Sequence, residues 1–302
     1  MRIFMIAAIV TLITSCSSTK RIANVEEQED WVSLYNDKNL FGWDIKFAGE
    51  ELNVNYKHTF IAMDSFIRVA YNEYETFDEK YAHLYYYKPY SHYKLKFDYR
   101  FFGEQVEGGA SWNVRNSGIM VHSQSAQSND FEQHFPVSIE LQLLGGLEDG
   151  KQRSTGNMCS PGTNIVLDGK LDERHCINST SKTYYGDQWV SAEMIVLGDS
   201  IIHHVIEGDT VLTYTKPQID DAFINNNDSG NGWRDFGVFS KRWQGRDGEL
   251  LSSGYIALQA ESHPIDFRGL ELLDLTGCMD KDAINYKSYF INSDQSTCQY
   301  KN

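Results

Sequence analysis

Residues 93–101 alternate strictly. Tyr93, Leu95, Phe97, Tyr99 and Phe101 fall on one face of an extended chain, and Lys94, Lys96, Asp98 and Arg100 on the other. Successive side chains of a strand point to opposite faces, so this pattern needs one buried and one wetted sheet face. Residues 137–143 and 255–261 repeat it, with Ile139, Leu141 and Leu143, then Ile256, Leu258 and Ala260, as the apolar sets. Residues 190–197, 201–206 and 211–214 read as successive strands, joined by turns at Gly198-Asp199 and Glu207-Gly208-Asp209, and residues 267–275 as the last strand of the domain. No long segment carries helical periodicity. The chain is therefore expected to be all-β, a sandwich or barrel of short strands. Two polar excursions, residues 145–187 and 217–253, are expected to be long loops; aromatic residues in the second, Trp233 and Trp243 among them, suggest a packed one.

Composition removes several function classes. The chain has 302 residues, 41% of them hydrophobic, enough to bury a core. Lys and Arg number 27 against 42 Asp and Glu, a formal charge of −15. That balance lacks the basic footprint needed to neutralise phosphates, so nucleic acid is not an expected partner. It gains nothing from an anionic membrane surface either.

Attachment to a membrane is expected from the N-terminus. Met1-Arg2 opens an apolar run over residues 3–13, too short to span a bilayer and suited to a secretory signal. Ile13-Thr14-Ser15-Cys16 resembles a bacterial lipobox, whose cysteine becomes the lipidated first residue. The expected organisation is a leader over 1–15, a tether over 16–30, a globular domain over 31–275 and a Cys-bounded tail over 276–302. The expected location is the bacterial cell envelope, periplasmic or at the surface, with the lipid on Cys16 as the membrane contact.

Five cysteines are present, and assigning Cys16 to lipid leaves four. Cys159 lies near Cys176, and Cys278 near Cys298. In an oxidising compartment two local disulfides are the simplest of the possible connectivities. A zinc site is the rival, without any Cys-x-x-Cys spacing to support it.

Alternation also locates candidate chemistry. It puts Glu140 and Gln142 on the non-core face of one strand, and Tyr255, Gln259 and Glu261 on that of another. Amides and carboxylates bind hydroxyls, aromatic faces stack on sugar rings, and paired carboxylates serve as acid and base. Arg115 and Asn116 enter a further apolar stretch at a turn. His203 and His204 must point to opposite faces, so at most one serves a given site, and His263 follows Glu261 at a strand end. No nucleophile elbow, His-Glu-x-x-His, phosphate loop or dinucleotide fingerprint occurs. The Glu-x-Asp-x-x-Glu of sandwich-fold endoglucanases is missing too, since position 142 is Gln and position 145 is Gly.

These residues carry a resemblance. Residues 31–43, from Trp31 through Asn36, Asn39 and Phe41 to Trp43, are similar to the opening of the 3-keto-disaccharide hydrolase family. Asn116-Ser117-Gly118-Ile119, Glu140-Leu141-Gln142 and His204-Val205-Ile206-Glu207-Gly208 resemble its internal elements, with Glu207 where the family has Asn. Residues 254–268, including Gln259, Glu261, His263, Asp266 and Arg268, resemble its closing strand pair. The resemblance covers residues 31–275. It implies a concanavalin-like jelly-roll β-sandwich of two antiparallel sheets, with long loops and a small C-terminal disulfide module. It also implies an exported enzyme that cleaves 3-keto-glycosides after a separate sugar 3-oxidoreductase has made the ketone.

A ketone at C3 acidifies the proton on C2, so a base can remove it and expel the group on C1; water then adds back. On that reading Glu140 and Glu261 are the expected acid and base, with His204 an alternative base or metal ligand. Arg115, Asn116, Gln142, Gln259, His263 and Trp233 are the expected sugar-binding set. A divalent metal ion is a possible aid to the enolate, with no ligands identified. Many relatives carry Asp at the position of Gly145, and its role cannot transfer. A non-catalytic carbohydrate-binding lipoprotein using the same face stays open. The tail resembles a short Cys-bounded repeat at the ends of exported proteins; calcium binding and plain surface polarity both stay open for its Asp and Asn residues.

Overall fold

A computed structural model describes residues 28–221 and 242–301. The expected leader over residues 1–15, Cys16 and Trp233 lie outside the described residues.

The strands, numbered in chain order, form two antiparallel sheets packed face to face. The larger has ten strands. From one edge it runs β11 (Lys170–Asp172), β10 (Thr163–Leu167), β15 (Asp209–Ile219), β14 (Ile201–Ile206), β13 (Val190–Leu197), β6 (His92–Phe101), β17 (Ile265–Asp274), β4 (Phe66–Val69) and β3 (Phe60–Met63). β1 (Val32–Ser33) pairs with the far end of β17. The smaller sheet has seven strands in the order β12 (Cys176–Ile177), β9 (Asn157–Cys159), β8 (Ile139–Leu144), β7 (Asn116–Ser123), β16 (Tyr255–Ala260), β5 (Ala82–Tyr86) and β2 (Trp43–Phe47). This is the jelly-roll sandwich that alternation and resemblance implied.

The expected strand faces are the observed ones. Along β6 buried and half-buried residues alternate without a break, with Tyr93, Leu95, Phe97, Tyr99 and Phe101 turned inward. From the other sheet Ile139, Leu141 and Leu143 of β8 and Ile256 and Leu258 of β16 meet them, all fully buried. Each such side chain contributes about 1.5–3 kcal/mol on leaving water.

The polar excursions differ from expectation. The stretch 145–187 is not a continuous loop, because β9 to β12 lie inside it. Alternation missed them because three of these four strands span only two or three residues. In the second excursion β15 continues through Pro217 to Ile219. The pairing of β15 with β10 shifts register between Asn164 and Val166, and Pro217 lies in that irregular stretch, where a missing N–H is tolerated. Residues 222–241 are outside the described set.

Both local disulfides are closed, Cys159–Cys176 and Cys278–Cys298. The first ties β12 to β9 across the sheet edge. The second closes the tail, where β18 (Thr276–Gly277) and β19 (Asn292–Ser293) form a small parallel pair. The tail also touches the start of the domain, with Lys287 Nζ 2.9 Å from Asp30 Oδ2.

On the outer face of the large sheet, Asp266 is fully buried under two arginines. Arg68 Nε and Nη2 donate to it at 2.8 and 3.0 Å, and Arg100 Nε at 2.9 Å. These three residues pin β4, β17 and β6 side by side. Removing the carboxylate leaves two guanidinium groups facing each other, so Asp266→Ala is expected to cost about 3 kcal/mol or more. Chemical denaturation checks this; a loss below about 1 kcal/mol would contradict the pinning role.

Candidate functional site

The outward face of the seven-stranded sheet is not solvated. Register sets its rows. Tyr85, Ala257, Met120, Glu140, Cys159 and Cys176 are successive cross-strand partners. A second row runs Lys46, His83, Gln259, and after Gly118 continues through Gln142 to Asn157. Glu261 follows Gln259 on the same face, two residues along. Loops from both ends of the strands fold over these rows and enclose a pocket of about 500 Å³. That volume suits a sugar-sized ligand.

Four of the expected residues meet there. Asn116, Glu140, Gln142 and Glu261 all line the pocket. Glu140 and Glu261 come from β8 and the end of β16, with β7 between them. Gly118 of β7 makes room: a Cβ built there would stand 2.7 Å from Glu140 Cγ and 2.8 Å from its Cδ. The Glu140 side chain therefore lies across β7, toward β16. Among the described residues no hydrogen bond or ion pair reaches its carboxyl, and burial pushes its pKa up to about 8. At neutral pH Glu140 is a proton donor. Gln142 accepts a hydrogen bond from Asn157 Nδ2 at 3.0 Å, which fixes its amide.

Three expected residues are placed elsewhere. His204 is a correction. It lies inside the sandwich on β14, fully buried, with Nδ1 2.9 Å from Gly156 O and Nε2 2.8 Å from the Tyr214 hydroxyl. With both ring nitrogens used inside the core, it is a strut between strands. Arg115 is not in the pocket wall; its Nη2 reaches Gly186 O and Asp187 Oδ1, the latter at 3.1 Å. Its side chain fills the space beside Gly145, where an added Cβ would stand 2.8 Å from Arg115 Nε. An Asp at position 145 would collide with it. His263 is buried against Phe101 with ring centroids 5.7 Å apart, also outside the wall. The positive φ of Ser262, 78°, breaks the alternation just before it. Gln259 shares the outward face but is buried, its Oε1 without a hydrogen-bond partner.

The wall also holds residues that the sequence did not single out. Trp112 is half exposed and stacks on Tyr81 at 6.4 Å with 9° between ring planes. His175 lies beside the Cys159–Cys176 disulfide, and burial lowers its pKa to about 4, so it is neutral. Arg153 lines the pocket with its Nη1 bonded to the carbonyls of Val114 and Gly145, each at 2.7 Å. All three sit in short or irregular segments, where no period marks a face.

Cys159, His175 and Cys176 form the one cluster of three potential metal ligands among the described residues. Their sulfurs are bonded to each other and offer no thiolate, so this donor set does not fit zinc.

The profile of the 3-keto-alpha-glucoside-1,2-lyase-like domain matches residues 30–273. Among solved structures, a glycosyl hydrolase candidate from Parabacteroides distasonis ATCC 8503 is 17% identical with a TM-score of 0.47, covering 81% of this chain and 99% of its own. The VIP36 exoplasmic/lumenal domain bound to Ca²⁺ and Man3GlcNAc is 10% identical, TM-score 0.42, covering 80% and 86%. A Bacillus subtilis protein with a galectin-like fold is 11% identical, TM-score 0.40, covering 82% and 97%. No curated protein matches.

The Glu140 carboxyl makes stability depend on pH. Its folded pKa of about 8 lies above the ordinary value of 4.5. Between those values the unfolded chain releases this proton and the folded one keeps it, so its contribution to stability falls as pH rises from 4.5 to 8 and then levels off. Glu140→Gln is expected to match wild type in thermal unfolding near pH 4.5 and to exceed it increasingly up to pH 8. Parallel melting curves across that range would show the burial to be wrong. Gly118→Ala is expected to displace Glu140 and abolish this pH-dependent difference.

Proposed function

The chain belongs to the 3-keto-alpha-glucoside-1,2-lyase-like domain family, and from that premise we propose that it cleaves 3-keto-glycosides or 3-keto-disaccharides by elimination followed by hydration. The observation that carries this reading is the pair Glu140 and Glu261 on one enclosed pocket, with Glu140 held protonated.

The reaction needs a base at C2 and an acid at the oxygen leaving C1. Glu261, as carboxylate, takes the C2 proton. The C–H electron pair becomes a C2–C3 double bond and the ketone becomes an enolate. The enolate collapses, the C1–O bond breaks, and the departing oxygen takes the proton of Glu140. Water then adds to C1 of the enone while C2 is reprotonated. The balance is one 3-keto-glycoside and one water in, one 3-keto sugar and one alcohol out. Gln142 and Asn116 are placed to hold hydroxyls, and Trp112 to cover an apolar ring face.

The substrate implies an oxidising partner, a sugar 3-oxidoreductase acting upstream. The two disulfides fit an oxidising compartment. We place the protein in the bacterial cell envelope, held by lipid on Cys16.

Purified protein incubated with a 3-keto-glucoside is expected to release the aglycone. Glu140→Gln and Glu261→Gln should each lower kcat by about 10²–10⁴. Turnover should fall as pH rises through about 8, where Glu140 ionises. Full turnover in both variants would refute the assignment. Saturable binding of the sugar without release by wild type would instead favour a carbohydrate-binding protein.

A further inference from the structure

Arg153 has an unusual set of partners. Its Nη1 donates to Val114 O and Gly145 O, with Arg115 O at 3.3 Å as a third acceptor. Its Nη2 reaches Trp112 O at 3.4 Å. Among the described residues no carboxylate pairs with it and nothing accepts from Nε. One edge of the guanidinium is thus bolted to the backbone. The other edge, Nε–H and the remaining Nη2–H, is uncommitted in a side chain that lines the pocket. A planar fork of this kind matches two oxygens about one carbon apart.

Two ligand classes suit such a fork: a substrate carboxylate, or the adjacent oxygens of an α-hydroxyketone. The rest of the pocket separates them. Glu140 and Glu261 line the same 500 Å³. A substrate carboxylate would be a further acid in that small space, and like charges there repel strongly. A ketone enters neutral and becomes negative only as C2 loses its proton. A fixed, half-buried cation serves that second case best, because its attraction grows as the charge develops.

Resting on the function proposed above, we propose that Arg153 is a catalytic residue whose free fork holds the C3 ketone oxygen and the neighbouring hydroxyl oxygen and takes up the enolate charge. In electron terms it accepts no proton: the ketone π pair moves onto O3 and is stabilised there by one N–H donor and the guanidinium charge, the second N–H holding the neighbouring hydroxyl, while Glu261 carries the C2 proton. The neighbouring Arg115, expected in the sugar-binding set, has its own guanidinium turned to Asp187. The free fork also makes Arg153 a specificity residue, since a 3-hydroxy sugar offers no oxygen on which charge can develop.

The test reads enolate formation directly. Wild type, Arg153→Gln and Arg153→Lys are incubated with 3-keto-glucose in D₂O, and loss of the C2–H signal is followed by NMR. Aglycone release from a 3-keto-glucoside is measured in parallel. Circular dichroism confirms folding. Wild type is expected to exchange the C2 proton. Arg153→Gln should lose at least about 100-fold in exchange and in kcat, with KM changed much less, and Arg153→Lys, which keeps a charge but no fork, about tenfold or more. A folded variant of either kind exchanging within threefold of wild type overturns the assignment. If the Gln variant fails to fold, the Lys variant decides by the same criterion. Wild type that neither exchanges nor releases aglycone overturns the parent function, and this proposal with it.

Discussion

Glu140 occupies a place that only a glycine on the next strand allows. Its side chain crosses β7 where a Cβ on Gly118 would stand 2.7 Å from its Cγ. Lying flat there, it shares the pocket with Glu261 and stays out of bulk water. Desolvation then keeps it protonated, since burial disfavours the charged form. Position, protonation state and acid chemistry thus follow from one close approach between neighbouring strands. The other floor residues take their places from the same register, which sets Gln142 beside Gly118 and His83 beside Gln259.

The sandwich around this floor is ordinary by comparison. Its apolar faces close on each other, and aromatic inward residues of β6 and β17 fill the space between sheets. His204, which enters the core, is matched there by Gly156 O and Tyr214. A neutral, doubly bonded imidazole between two sheets costs little. That is why a histidine in an apolar strand makes a good strut and a poor base.

Neither Arg153 nor Glu140 is tied to an oppositely charged side chain by an ion pair among the described residues. Arg153 is anchored through backbone carbonyls, which fix a guanidinium without an ion pair, with Asp149 as a nearby acidic neighbour. Glu140 is held by packing alone. A site built this way is preorganised, because no counter-ion must be pulled off before a substrate takes its place. The Cys159–Cys176 disulfide works on the same wall, securing the two-residue strand β12 that carries one of its sulfurs.

Strand faces were legible from the sequence because a period of two is a local property. Residues 93–101, 137–143 and 255–261 each announced an inward and an outward set, and the outward set put Glu140, Gln142 and Glu261 on non-core faces. The local cysteine pairs were legible for a similar reason, since a short loop needs little entropy to close. Which outward faces share a hollow was not local. It depended on β7 lying between β8 and β16, and on loops distant in sequence folding over them. Arg153, Trp112 and His175 belong to irregular segments without any period, so only the fold could gather them. Arg115 and His263 had plausible types and positions, but their side chains follow backbone kinks, φ 47° at Arg115 and 78° at Ser262. Alternation cannot be carried across such a kink. Sequence determined which way each regular strand turns its side chains; tertiary structure decided which of them meet, because meeting is set by strand order and by the room a neighbour leaves.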